Sequence, residues 1–200
     1  MDAIETLMSE HRLIERAIDA LVAFADEALR KSTDDKEELV RFVTFIREFA
    51  DACHHGKEEE ILFAAMVEAG FPRHAGPVGV MLMEHEQGRS YVRALSELAT
   101  QAGAWSVEDR QRLADAAYGY AQLLRDHIHK EDAVLYPMAE QRLPPELLAR
   151  VAADCEAFEA ERTGSGEHER LHRLGDELIA RHAALTRDEP EQHAAPGCCH

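Results

Sequence analysis

Two segments of the chain repeat one pattern of histidine, lysine, acid and apolar residues. The first is HHGKEEEILF at 54–63, and the second is HIHKEDAVLY at 127–136, which begins 73 residues later. A Glu-His pair precedes each segment, in MSEHR at 8–12 and in LMEHE at 82–86. Imidazoles and carboxylates are ligands for divalent metal ions. The repeat therefore predicts that each half of the chain supplies one histidine and one His-x-x-x-Glu set to a shared metal site.

Helical periodicity separates the histidines that point inward from those that point outward. Residues seven or eleven positions from His54 are apolar, whereas those around His55 are mostly polar. The same test predicts that His127 points inward and His129 outward. The predicted inward donors are His11, His54, Glu58, His85, His127 and Glu131. The residues predicted to face outward are His55, Glu59 and His129.

Burial of these donors makes chemical sense only around metal ions. An uncompensated carboxylate in an apolar core costs several kcal/mol. Divalent cations reverse that balance, because carboxylates and neutral imidazoles become their ligands. A single His-x-x-x-Glu set is more often a solvated pair, and a lone core histidine such as His11 is more often simply hydrogen-bonded. The duplication of the whole set, in the same order, favours a pair of ions bridged by Glu58 and Glu131.

The elements that must position these donors are helices, since apolar residues recur at helical spacing and no strand-like alternation is present. Breaks fall at STDD (32–35), Gly70-Phe71-Pro72, the capping-box-like Ser106 to Asp109, and Pro144-Pro145. Four long helices with short connections predict an all-α, up-down-up-down four-helix bundle with additional C-terminal helices packed outside. We expect residues 1–142 to form the bundle with its di-metal site, 143–187 a C-terminal helical extension, and 188–200 a flexible tail.

Composition limits the partners and the compartment. The formal net charge of −17 over 200 residues argues against nucleic acid and anionic membranes, because repulsion would replace counterion release. The N-terminus has no signal-peptide pattern, and no apolar run reaches the ~18 residues that span a bilayer, so a cytoplasmic location is expected. Cys53 is expected to be a small buried hydrophobe. The Cys198-Cys199-His200 tail is interpreted as a mobile terminus, with metal binding or oxidation as the alternative.

These motifs resemble the hemerythrin family, specifically its HHE cation-binding type. EHR at 10–12, HHGKEEEILF at 54–63, MEHEQGR at 83–89 and HIHKEDAVLYP at 127–137 match the family pattern H…HxxxE…H…HxxxE over roughly residues 1–142. The resemblance implies a four-helix bundle that holds a non-haem di-iron centre with an oxo or hydroxo bridge. The six inward donors occupy the matching positions.

The chain departs from the oxygen-carrying members of that family on the third helix. Those members have a further histidine one turn along the third helix, where this chain has Arg89. They also have HxxxxD on the fourth helix, which Asp132 would satisfy from His127, although the internal repeat favours Glu131. A missing nitrogen ligand argues against simple reversible oxygen carriage. It leaves open coordination that suits reaction with small oxidants.

Several further residues are secondary candidates. His55 is an alternative extra ligand, although the outward orientation is favoured. His168, in the segment EHERLHRLGDEL, is a candidate additional ligand or a residue that contacts a ligand, beside the somewhat favoured interpretation as a surface histidine. Tyr120 could donate a hydrogen bond or an electron, but a core aromatic is favoured. The expected apolar walls of the site are Phe49, Ile61, Leu62 and Val134.

The donor set predicts iron as the metal. No thiolate is among the six donors, which argues against structural zinc, and two Fe²⁺ with two carboxylates keep a net charge of about +2 that attracts an oxygen anion. The predicted function is a di-iron oxidoreductase that binds and reduces a small oxidant such as H2O2, NO or O2. The alternatives are a non-enzymatic oxygen or iron sensor, carrier or store, and a plain helical interaction module. At this level the electron donor and the oligomeric state are open.

Overall fold

The computed structural model describes residues 3–162 and 166–183, and the regular structure within these ranges is helical without strands. The first and third rods of the bundle are α1 (Ala3–Lys31) and α4 (Gly76–Thr100). The second rod is continuous through α2 (Lys36–Phe45), π1 (Ile46–His55), π2 (Glu58–Leu62) and α3 (Phe63–Glu68). The fourth rod consists of α5 (Val107–Lys130), π3 (Glu131–Leu135) and α6 (Tyr136–Arg142). In this part of the chain, no helix combines the length and apolarity needed to cross a bilayer.

The ends of the rods follow the local sequence signals. Asp35 accepts a hydrogen bond from the backbone N–H of Glu38 and so caps α2. Ser106 and Asp109 form the reciprocal capping box that the sequence predicts at the start of α5. Gly70 follows the end of α3 with a φ of +98°, a conformation that favours glycine. The predicted connections are therefore confirmed.

A polar layer divides the interior of the bundle into two apolar clusters. The larger cluster extends from Leu13 on α1, and the smaller includes Ala3 to Leu7 on the same helix. α1 and α4 run from the smaller cluster to the larger, whereas the second and fourth rods run from the larger to the smaller. This alternation is the up-down-up-down topology, so the predicted fold is confirmed. The polar layer consists of His11, His54, His55, Glu58, His85, His127 and Glu131.

Two further helices, α7 (Pro145–Arg162) and α8 (Glu167–His182), pack on the outside of the bundle as predicted. α8 lies against α1 and α2, with Leu171 and Leu178 buried in the larger cluster. α7 adds Val151 and Cys155 to the smaller cluster. The expected tail at 188–200, including Cys198-Cys199-His200, lies outside the described residues.

Gly175 permits the close approach of α8, and its replacement should loosen that helix. A Cβ at this position would lie 2.6 Å from Cε2 of the buried Phe45 ring. We expect Gly175→Ala to lower the stability by about 1–2 kcal/mol, because overpacking outweighs the better helix propensity of alanine. The matched control is Arg173→Ala on the exposed side of α8. Thermal unfolding that is unchanged or raised in Gly175→Ala would contradict this packing.

Candidate metal centre

The polar layer brings the six predicted donors together and adds one more. The seven side chains come from all four rods of the bundle, and each is at most 4% exposed. His129 is exposed, as predicted. Glu131 lies within the layer, whereas its neighbour Asp132 lies outside it, beside Nδ1 of His11. The internal repeat therefore selected the carboxylate that points inward.

The outward orientation predicted for His55 is wrong. The residue is buried, and its ring stacks on the His85 ring with 3.9 Å between centroids. The cause is π1, in which i→i+5 hydrogen bonds place more residues in each turn than an α-helix does. The spacing of ~100° per residue therefore fails here, and the adjacent residues His54 and His55 both point inward. Glu59 is also turned partly inward and contacts Nδ1 of His85 at 2.7 Å.

The donors form two groups, in each of which the ligand atoms lie within 4.8 Å of one another. The three-histidine group consists of His55, His85 and His127 with Glu58. The two-histidine group consists of His11 and His54 with Glu58 and Glu131. Glu58 belongs to both groups, and Oε1 of Glu131 also lies 3.2 Å from Nε2 of His127. Each carboxylate therefore faces both groups, an arrangement that can bridge two adjacent ions.

Each imidazole of the layer has its Nδ1 beside a carboxylate outside the layer. The pairs are His11–Asp132 at 2.8 Å, His54–Glu10 at 2.8 Å, His55–Asp51 at 3.4 Å, His85–Glu59 at 2.7 Å and His127–Glu84 at 2.9 Å. A histidine whose Nδ1–H donates to a carboxylate presents the lone pair of Nε2 to a metal, and the carboxylate fixes the orientation of the ring. Five Nε2 atoms are therefore directed at the centre of the layer.

Several polar atoms in the layer lack the partners that burial requires. Oε2 of Glu58 and both carboxylate oxygens of Glu131 are buried without a hydrogen bond. Nε2 of His85 lies 3.0 Å from Nε2 of His127, so two acceptor atoms face each other if both Nδ1 atoms carry the proton. Buried polar atoms are normally satisfied, and divalent cations between these atoms would satisfy them. The donor set therefore fits a pair of metal ions.

The electrostatics of the two carboxylates differ in the absence of a cation. Burial and the proximity of Glu131 raise the pKa of Glu58 well above its usual value. Burial alone would raise the pKa of Glu131 too, but His127 and His11 lower it well below its usual value. Burial likewise opposes protonation of His11, yet Asp132 and Glu131 raise its pKa to about 9. The raised pKa values of Glu58 and His11 both favour the protonated side chain, which lowers the negative charge of the layer.

The sequence repeat extends to an aromatic residue in each half of the centre, and each aromatic ring stacks on a histidine of the layer. The Phe63 ring stacks on His85 with 5.9 Å between centroids, and the Tyr136 ring stacks on His11 with 5.6 Å. The Tyr136 hydroxyl also donates a hydrogen bond of 2.6 Å to Glu58 Oε1. Tyr120, for which a core position was favoured over a role at the site, lies in the larger apolar cluster, so the favoured prediction is confirmed. The last position of each repeated segment was the signal that could have found Tyr136.

Arg89, which stands where oxygen-carrying relatives have a histidine, lies outside the layer. Its Nη2 contacts Asp51 Oδ1 at 2.8 Å and Glu59 Oε1 at 2.7 Å. These carboxylates are the Nδ1 partners of His55 and His85. Arg89 therefore fixes two outer carboxylates, while His55 provides the additional imidazole from the second rod.

His168 also lies outside the layer. Its Nε2 is 3.5 Å from Glu10 Oε1, and its Nδ1 is 3.1 Å from Glu159 Oε1. Glu10 is the carboxylate that contacts Nδ1 of His54. The structure therefore places His168 next to the partner of a donor, and not among the donors themselves.

Comparison with known proteins identifies the class of this fold and site. The family model "Hemerythrin HHE cation binding domain" matches residues 2–139, so the chain belongs to the hemerythrin family. Uncharacterized protein Rv1995 of Mycobacterium tuberculosis and uncharacterized protein Mb2018 of Mycobacterium bovis are each 27% identical to it over 138 residues. That match covers 68% of this chain and 52% of each relative, so the chain spans about half their length. No solved structure is significantly similar.

Proposed function

We propose that the chain holds two iron ions at the polar layer, where it binds and reduces a small oxidant such as H2O2, NO or O2. The observation that carries this proposal is the convergence of five Nε2 atoms on carboxylate oxygens that are buried without a hydrogen bond. Glu58, as a member of both donor groups, favours two adjacent ions over one.

The donor chemistry supports iron. Neither group contains a cysteine, so the soft ligands that select structural zinc or Cu(I) are missing from both. Two Fe²⁺ with the carboxylates of Glu58 and Glu131 keep a net charge of about +2. Such an excess attracts a small anion. The two-histidine group has fewer imidazoles than its neighbour, and we propose that the small ligand enters on that side.

Burial supports a small substrate. The seven donors are almost inaccessible to solvent, which excludes large substrates from direct contact with them. The Tyr136 hydroxyl, which donates to Glu58 Oε1, also lies 3.4 Å from His11 Nε2 and places a polar group at the two-histidine group. On the other side, a groove of about 450 Å³ is lined by Asp51 and Arg89, the outer contacts of the three-histidine group. An iron pair, when bound, would supply electrons by cycling between Fe²⁺ and Fe³⁺, and Tyr136 would be the polar side chain beside a ligand on the two-histidine side.

A second candidate function is reversible binding without turnover, as in an oxygen or iron sensor, carrier or store. His55 favours this candidate, because it supplies the nitrogen donor that the third helix lacks. An extra imidazole lowers the number of open coordination positions. Both candidate functions use the same donors, and they differ in whether the ligand is consumed.

Peroxide turnover by the iron-loaded protein distinguishes the two. We expect many cycles of H2O2 or NO consumption per site in the presence of a reductant, and a loss of at least about tenfold in His54→Ala, which removes a ligand. The matched control is His129→Ala, an exposed histidine on α5. A reversible spectrum with O2 or NO but no consumption would favour the second candidate. Iron-loaded protein inert to all three ligands would contradict both.

A further inference from the structure

Glu10 and Glu84, the carboxylates beside Nδ1 of His54 and of His127, are covered to different extents. In each half a lysine contacts the glutamate beside Nδ1 of a donor histidine: Lys57 contacts Glu10, and Lys130 contacts Glu84. The Lys57 side chain is 1% exposed, whereas that of Lys130 is 39% exposed. The C-terminal extension, α7 and α8, packs over the first pair, where Glu159 contacts Lys57 and His168 lies beside Glu10.

The extension reaches the first pair with side chains from both of its helices. Glu159 on α7 lies 3.5 Å from Lys57 Nζ, and His168 on α8 lies 3.5 Å from Glu10 Oε1. The His168 ring also packs against Phe49, with 5.4 Å between centroids. Glu10 in turn contacts Nδ1 of His54 through its other oxygen at 2.8 Å. A continuous series of polar contacts therefore joins the extension to the two-histidine group.

This outer cluster is better suited to positioning than to a third metal ion. Glu10, Glu159 and His168 offer ligand atoms within 4.8 Å of one another. The Lys57 ammonium group already contacts both carboxylates, however, and would repel a cation placed between them. The ammonium group thus occupies the position that a cation would need.

We propose that the extension is a metal-retention element: His168 fixes Glu10 on His54, so that the cation of the two-histidine group is held more tightly while α7 and α8 are docked. This inference rests on the proposed di-metal site. Carboxylates that orient a ligand histidine typically contribute 10- to 100-fold to metal affinity. The coupling is reciprocal, so the bound cation also stabilises the docked extension.

Anaerobic Fe²⁺ titration in competition with a chromogenic Fe²⁺ chelator tests the proposal. We expect two ions per chain in the wild type and weaker binding of one of the two in His168→Ala, by less than the roughly 10- to 100-fold that loss of Glu10 itself would cost. His168→Gln should restore most of that affinity, because a side-chain amide N–H at this position can donate to Glu10. The matched control is His172→Ala, one turn further along α8, which contacts Asp176 and not Glu10.

Hydrogen exchange adds a readout that does not depend on affinity. Removal of Fe²⁺ should accelerate amide exchange in Glu167–His182, and His168→Ala should reduce the difference between the metal-bound and metal-free forms. Wild-type affinity for both ions in His168→Ala, or an equal loss at both, would overturn the inference and leave the proposed function intact. A wild type that binds no Fe²⁺ would contradict the proposed function and this inference together.

Discussion

Glu58→Gln should reduce the iron bound at the proposed di-metal site from two ions per chain to less than one. The residue belongs to both donor groups, so its substitution removes one ligand from each ion and also removes the negative charge between them. The amide is isosteric, and its oxygen can still accept the hydrogen bond from Tyr136. Metal analysis after gel filtration measures the effect, with Glu60→Ala, an exposed acid of π2, as the matched control.

In the metal-free protein, the same substitution should leave the stability of the fold unchanged or raise it. Without cations, burial and Glu131 raise the pKa of Glu58, so folding near neutral pH must protonate this acid at a cost in free energy, and an amide that is already neutral avoids that cost. Metal-free Glu58→Gln should therefore unfold at the same temperature as the metal-free wild type or at a higher one. Two ions retained by the variant, or a large loss of metal-free stability, would show that Glu58 is not a shared ligand.

Removal of the metal ions should lower the melting temperature of the wild type by about 8–16 °C. A ligand that binds only the folded state, at about a thousand times its dissociation constant, stabilises that state by about 4 kcal/mol. For a protein of this size each kcal/mol shifts the transition by roughly 2–4 °C. The physical reason is that chelation leaves buried carboxylate oxygens and the opposed Nε2 atoms of His85 and His127 without a cation.

Differential scanning calorimetry of the loaded and chelated forms measures this shift. His54→Ala should show a smaller difference between the two forms, because one ligand of the two-histidine group is lost. His129→Ala should show the full difference. Equal melting temperatures for loaded and chelated wild type would mean that the polar layer is satisfied by protons alone, contrary to the proposed metal site.

Much of the fold and of the donor set could be predicted because the relevant signals are local or repeated. The cap at Asp35 and the capping box at Ser106 are determined by a few adjacent residues. The choice of Glu131 over its neighbour Asp132 as the inward carboxylate followed from the comparison of two equivalent segments within one chain. The periodicity test predicts which way a side chain points from a rotation of ~100° per residue, so it is valid only where the rod is α-helical.

The errors of orientation lie within the π-helical stretches. His55 is in π1, and the prediction turned it outward. Val134 is in π3, and the prediction made it a wall of the site although it is 49% exposed. A π-helical turn depends on packing around the whole layer, and the periodicity test contained no signal for it. These two residues were therefore assigned with the wrong rotation per residue.

Other contacts of the centre had a signal in the sequence that remained unused. Glu10 and Glu84 both precede a donor histidine, and each contacts a donor on another rod. The repetition of the Glu-His pair points to this role. The contact between His168 and Glu10 had no such signal, because it depends on how the extension docks.

The wide turns of the second rod also limit how this centre can evolve. A point substitution can delete the His55 imidazole, but the direction of that side chain depends on how many residues precede it in π1. Loss of a single residue there, such as Ala52, would rotate every later side chain of the rod by roughly 100° relative to the earlier ones. Natural variation in the number of imidazoles at such a site should therefore arise by insertion or deletion as well as by exchange of residues.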